Sequence, residues 1–67
     1  MREWLKEKRA EHGMTMVQLS TKLGISESYY SLIEAGERQK KMDISMLAKL
    51  STIFDMPVAE IVNLEEK

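Results

Sequence analysis

This chain of 67 residues has no cysteine, one proline, three glycines and one histidine, and its aromatic set is one tryptophan, two tyrosines and one phenylalanine. Without cysteine there is no disulfide framework and no thiolate metal site, which is compatible with a reducing cytoplasm. No apolar run approaches the roughly 20 residues of a membrane span. The N-terminal stretch from Met1 to Gly13 mixes charges at helical spacing and lacks the apolar segment of a signal peptide. There is no repeat, no low-complexity tract and no strand-like alternation. An excess of charge is missing too: ten Lys and Arg face eleven Asp and Glu, for a net charge of −1. Nucleic-acid readers are usually basic, because neutralising phosphate supplies much of their affinity. Here only a local cluster of cations can do that. The single His12 sits near a predicted helix end, where an imidazole is more often a dipole partner than a catalyst. Asp43 and Asp55 are isolated and no Gly-rich phosphate loop is present. No enzyme, cofactor or metal is expected.

What is present is enough apolar surface, 43% of residues, for one core and one domain spanning 1–67. A chain this short buries only about 60% of its extended surface, so association is a plausible supplement to its stability. Five helices are legible, over about 2–12, 16–23, 27–35, 44–54 and 58–63. The first is rich in Glu, Lys, Leu and Arg, with charges four apart and with Trp4 and Leu5 on its inward side. Gly13 ends it. Thr15 and Gln18 have the spacing of a capping box, with Met14 and Leu19 as its hydrophobic staple. Val17, Leu19, Ser20 and Leu23 define the inward face of the second helix. Gly24 supplies a left-handed turn. Ser26 caps the third helix, Ile25 and Tyr30 form the matching staple, and Gly36 ends it. Tyr30 and Ile33 point inward; Glu27, Ser28, Tyr29, Ser31 and Leu32 point outward. Residues 37–43 form a polar loop with Arg38, Lys40 and Lys41, a dense basic cluster outside the helices. Asp43 caps the fourth helix, with Ile44, Leu47, Leu50 and Phe54 or Ile53 on one face. Pro57 opens the fifth. Glu65, Glu66 and Lys67 read as a solvated tail.

Two short capped helices joined at Gly24-Ile25-Ser26 have the spacing of a helix-turn-helix, which lays its second helix in the major groove of DNA. The expected fold is therefore all-α: a compact bundle of five short helices with a helix-turn-helix at the second and third.

From about Leu5 to Leu64 the sequence resembles the Xre family, the Cro/CI-type helix-turn-helix regulators of phages and bacteria, with their phage-repressor-like DNA-binding domain. The residues that carry the likeness are Arg9, Gly13-Met14-Thr15, Leu19, Leu23-Gly24-Ile25-Ser26, Tyr30 to Glu34, Gly36-Glu37-Arg38, Leu47, Leu50 and the segment from Pro57 to Ile61. The resemblance implies that Arg9 and Glu34 form a structural ion pair between the first helix and the end of the third. Three departures stand out: Met16 where the family often has Gln, Glu27 and Leu32 where it often has Arg or Gln, and a loop after Gly36 longer by about two residues.

On this reading Glu27, Ser28, Tyr29 and Leu32 face the bases. A carboxylate accepts from cytosine N4, a hydroxyl serves either base edge, and apolar groups touch the thymine methyl. Glu27 can equally be a helix N-terminal acid stabilised by the macrodipole, and Tyr29 and Leu32 can be packing residues. Phosphate contacts fall to Thr15, Met16, Lys22, Ser26, Arg38, Lys40 and Lys41, although the basic loop can also be plain solvated surface. So few contacts per subunit favour a homodimer on a palindromic operator of double-stranded DNA. Val58, Ile61, Val62 and Leu64 are then the candidate interface, unless they only close the core. The expected function is sequence-specific DNA binding by a small cytoplasmic transcriptional regulator, a repressor by occupancy, with no room for a ligand-sensing module. The rival from another class is a protein-interaction module on the same fold, with Met16, Glu27, Tyr29 and Leu32 meeting an unknown protein partner.

Overall fold

A computed structural model describes residues 1–66; of the tail expected beyond Leu64, Lys67 lies outside the described residues. Five helices and no strand are found among them: α1 (Glu3–Glu11), α2 (Met16–Leu23), α3 (Glu27–Ala35), α4 (Ile44–Phe54) and α5 (Val58–Glu65). Local chemistry sets most of the boundaries. The Thr15 hydroxyl accepts from the Gln18 amide at 3.1 Å, while the Gln18 side chain accepts from the Thr15 amide at 2.8 Å, closing the capping box at the start of α2. Ser26 Oγ accepts from the Tyr29 amide at 3.1 Å, and Asp43 Oδ1 from the Met46 amide at 2.8 Å, which start α3 and α4. Gly24 ends α2 in the left-handed region, at φ 73°, and its amide bonds back into the helix end. No side chain caps α1, whose N-cap position is Arg2.

The core gathers Leu5 of α1, Leu19 and Leu23 of α2, Tyr30 and Ile33 of α3, Met46, Leu50 and Phe54 of α4, and Ile61 of α5. Met14 and Ile25, the staple residues, lie half-buried against it. Ser20 is buried where α2 passes α3, and its hydroxyl donates to the Val17 carbonyl at 2.8 Å. Lys49 of α4 donates to the Leu23 carbonyl at 3.3 Å, capping the end of α2 from outside. The His12 and Phe54 rings meet at 5.0 Å.

Three features differ from the sequence expectation. Val17 is 51% exposed rather than inward. Leu19, Ser20 and Leu23 already fill the face of α2, and Val17 lies 200° of helical rotation from Leu19. Ile44 is 83% exposed, and Met46 takes its place in the core. The buried stripe of α4 is Met46–Leu50–Phe54, spaced i, i+4, i+8, and Ile44 at the first helical position falls outside it. Finally, Glu65 is no solvated tail residue. It belongs to α5, two residues beyond the expected end, and its carboxylate binds Arg2 and Trp4.

Candidate nucleic-acid interface

Beneath α3 lies a polar cluster that fixes its position. Arg9 Nε donates to Glu34 Oε2 at 3.0 Å and Arg9 Nη2 to Oε1 at 3.4 Å, while Nη1 donates to the Met14 carbonyl at 3.1 Å. The Tyr30 hydroxyl donates to the same Glu34 oxygen at 2.6 Å. A carboxylate buried to this degree is tolerable only because it is paired and hydrogen-bonded. Its presence raises the pKa of Arg9 still further. Burial, followed by the bond to Glu34, pushes the Tyr30 phenol well above its usual range. The three side chains join α1, the entry to α2 and both turns of α3 into one block. That block is structural, since Glu34 is buried and presents nothing outward.

The outward face of α3 carries Glu27, Ser28, Ser31 and Leu32, all exposed. Met16, Glu27, Ser28 and Ser31 line one shallow hollow between the start of α2 and the start of α3. Ser31 was not singled out from the sequence as a reading residue. The signal was its spacing, since it stands one helical turn after Glu27 and Ser28. The Tyr29 ring leans into the core edge, half-buried, and its hydroxyl accepts from Gln39 Nε2 at 3.2 Å. Tyr29 is therefore tied to the loop and less open to a base than Glu27, Ser28 or Leu32.

The phosphate candidates separate into groups. Thr15 and Ser26 are exposed, but their hydroxyls are engaged as caps. What the two helix starts offer is the amides of Met16, Val17, Glu27 and Ser28, which find no acceptor among the described residues. Lys22 is exposed at the far end of α2, beside Ala48, Lys49, Thr52 and Ile53. Arg38 is exposed; its side chain donates to the neighbouring Glu37 carbonyl at 3.1 Å and its amide to the Leu32 carbonyl at 3.2 Å. Lys40 and Lys41, also exposed, border a hollow with Met42, Leu47, Val62, Glu65 and Glu66. They thus lie on the α5 side of the loop and do not line the Met16–Glu27 hollow.

Of the residues expected at a dimer face, Ile61 must be withdrawn. It is fully buried, a core residue of the single chain, because it sits on the α5 stripe that closes over α4. Val58 is exposed, and Val62 and Leu64 are half-buried. Ile44, expected inside, is the most exposed large apolar side chain.

Sequence reasoning missed Arg2. Its guanidinium is buried and donates to the carbonyls of Ile33 at 2.6 Å, of Arg38 at 3.0 Å and of Gln39, and to the Glu65 carboxylate at 2.8 Å. Trp4 Nε1 donates to that carboxylate at 2.7 Å. No local pattern announces bonds that reach 31 to 63 residues along the chain. No buried side-chain polar atom among the described residues lacks a partner. Nor does any group of three or more His, Asp or Glu side chains among them converge as a metal site would. No helix of the described residues is long and apolar enough to cross a membrane.

No solved structure matches this chain significantly. A curated relative, an uncharacterised HTH-type transcriptional regulator, YqaF, of Bacillus subtilis strain 168, is 38% identical over 45 residues. That alignment takes in 67% of this chain, which spans 59% of the length of the relative. The helix-turn-helix family model matches residues 5–61, from the first core leucine to the buried isoleucine of α5. With α2 and α3 capped and joined as described, the chain belongs to the helix-turn-helix family of the Xre, Cro/CI type.

Proposed function

We propose that this protein is a sequence-specific DNA-binding regulator that lays α3 in the major groove. The observation that carries this is the placement of Glu27, Ser28, Ser31 and Leu32. They form one exposed face on a helix whose other side is locked by Arg9, Glu34 and Tyr30. A rigid, capped helix with a small polar face suits direct readout, in which short side chains bring the helix close to base edges. Free amides at the starts of α2 and α3 suit phosphate oxygens. Arg38, Lys40, Lys41 and Lys22 supply the cations that α3 lacks. With so few per subunit, binding as a homodimer to a palindrome follows, with half-sites about 34 Å apart. The exposed apolar residues Ile44 and Val58, with Val62, suit the contact between copies. Regulation by blocking polymerase at an operator is then the simplest output, in keeping with the regulator title of the Bacillus relative.

Selection of bound sites from a random duplex library tests recognition, sequence and palindromy together. Glu27→Gln should change the preferred sequence while leaving the helix intact; an unchanged preference returns Glu27 to a capping role. A second reading has its own support: the exposed face of α3 carries one acid, Glu27, and no cation. A protein partner meeting Met16, Glu27 and Leu32 would not need one. Absence of duplex binding even at low salt would favour that partner and sink the regulator.

A further inference from the structure

The eight residues between α3 and α4 hold three cations, Arg38, Lys40 and Lys41, and they are fastened more firmly than an exposed loop requires. Gln39 is the fastening point. Its backbone is left-handed, at φ 54°, an uncommon state for a residue with a side chain. Its amide group reaches three ways: Nε2 donates to the Tyr29 hydroxyl at 3.2 Å and to Asp43 Oδ2 at 3.3 Å, and Oε1 accepts from the Asp43 amide at 3.0 Å. From the other side, the buried Arg2 guanidinium holds the carbonyls of Arg38 and Gln39. Arg2 is itself held by the Ile33 carbonyl at the end of α3 and by Glu65 of α5. The loop is thus tied to α3, to the N-cap residues of α1 and α4, and through Arg2 to α5, while the side chains of Arg38, Lys40 and Lys41 remain exposed.

We propose that Gln39 and Arg2 are positioning residues for DNA binding, holding the loop so that its cations meet the phosphate backbone already ordered. The proposal rests on the DNA-binding reading and assigns the regulation of its affinity to residues that touch no DNA. Cations on a pre-ordered backbone lose less freedom on contact, so more of each phosphate interaction appears as affinity. Left free, each loop residue would need ordering at the moment of binding, a loss on the order of tenfold for one residue.

Gln39→Gly is the discriminating variant. Glycine accepts the left-handed backbone without strain, so the variant folds while its three side-chain ties are gone. Two readouts are needed. Amide hydrogen exchange should accelerate at Glu37 and Arg38, whose amides bond to the Leu32 carbonyl, and stay unchanged in α2 and the rest of α3. Affinity for duplex DNA should fall roughly tenfold, while the salt slope stays near that of the parent, since the same phosphates are neutralised once the loop is ordered. Arg2→Met should act in the same direction, and Lys22→Met, outside the clamp, should leave exchange in the loop unaltered. If Gln39→Gly binds with wild-type affinity, the positioning role is wrong even though the DNA reading stands. If the wild-type protein ignores duplex DNA at low salt, both fall. Unaltered exchange in the loop would show that the clamp holds nothing and would overturn the proposal by itself.

Discussion

The connection from α2 to α3 and the connection from α3 to α4 both turn the chain through left-handed residues: Gly24 at φ 73° in the first, Gly36 at φ 84° and Gln39 at φ 54° in the second. They are otherwise built on opposite plans. The first is short and self-sufficient. Glycine takes the strained conformation without cost, Ile25 tucks against the core, Ser26 caps the next helix, and Leu23 anchors the approach. Apart from the bond from Lys49 to the Leu23 carbonyl, what shapes it lies within a few residues of it. The second is longer and depends on distant help. Beyond Gly36, its second left-handed residue, Gln39, carries a side chain, and the carbonyls of Arg38 and Gln39 are satisfied by Arg2, which the chain has placed more than thirty residues earlier. The turn that orients α3 is thus specified largely by its own residues. A loop that carries cations is specified by tertiary polar contacts, which can be loosened without unfolding the domain.

The contrast should show first in the size and reach of damage. Leu23→Ala removes a fully buried side chain at the turn and should cost about 3 kcal/mol, lowering the melting temperature of every helix together. Arg2→Met keeps the length and the apolar stem but strips four acceptors of their donor; the cost should be about 2 kcal/mol. Urea melts followed by circular dichroism measure both. A local probe at the loop should respond to Arg2→Met below the global transition, but to Leu23→Ala only with it. Equal, fully cooperative losses would erase the distinction between the two connections.

The block that both connections share can be tested by pH. The Tyr30 phenol is held protonated in the folded state by burial and then by its bond to Glu34. The unfolded phenol releases its proton near pH 10.0, so this contribution is complete below that value. Above it, the unfolded chain loses a proton that the folded chain keeps, and stability falls as pH rises. By pH 11 the loss should reach about 1.4 kcal/mol from this group. Tyr30→Phe should flatten that alkaline limb in stability measured against pH. An identical limb in the variant would mean that the phenol titrates without regard to folding.

The same division explains what could be read from the sequence. The capping box at Thr15 and Gln18, the caps at Ser26 and Asp43, and the glycine at the α2–α3 turn are all patterns within four residues, and they are visible as spacing alone. Val17 and Ile44 were misjudged because hydrophobic character does not by itself say which of two adjacent stripes a helix will bury. The choice was made by neighbours: Leu19 and Leu23 in α2, Met46 and Leu50 in α4. The bonds from Arg2 and Trp4 to Glu65 had no local signature at all, because an Arg near one end and a Glu near the other look like two solvated charges. The outward residues of α3 were legible as a face. Which of them stays free was not, since the tie between Tyr29 and Gln39 depends on how the loop folds back.

The smallest effects give the sharpest test, because the left-handed residues Gly24 and Gln39 should respond to opposite substitutions. A Cβ at Gly24 would meet no atom within 4 Å, so Gly24→Ala introduces no clash. What remains is the backbone penalty for holding alanine at φ 73°, about 1 kcal/mol. At Gln39 the same penalty is already present in the native chain. Gln39→Gly removes it and simultaneously removes the side-chain bonds to Tyr29 and Asp43, each worth about 1 kcal/mol at most in an exposed loop. Those changes oppose one another, so the variant should sit within about 1 kcal/mol of the parent while its loop moves more freely. Thermal melts of the two variants side by side are sufficient. A Gly24→Ala protein as stable as the parent would mean that the turn is not held by the left-handed state. A Gln39→Gly protein that loses several kcal/mol would mean that the loop is part of the fold, and no longer a separable device built upon it.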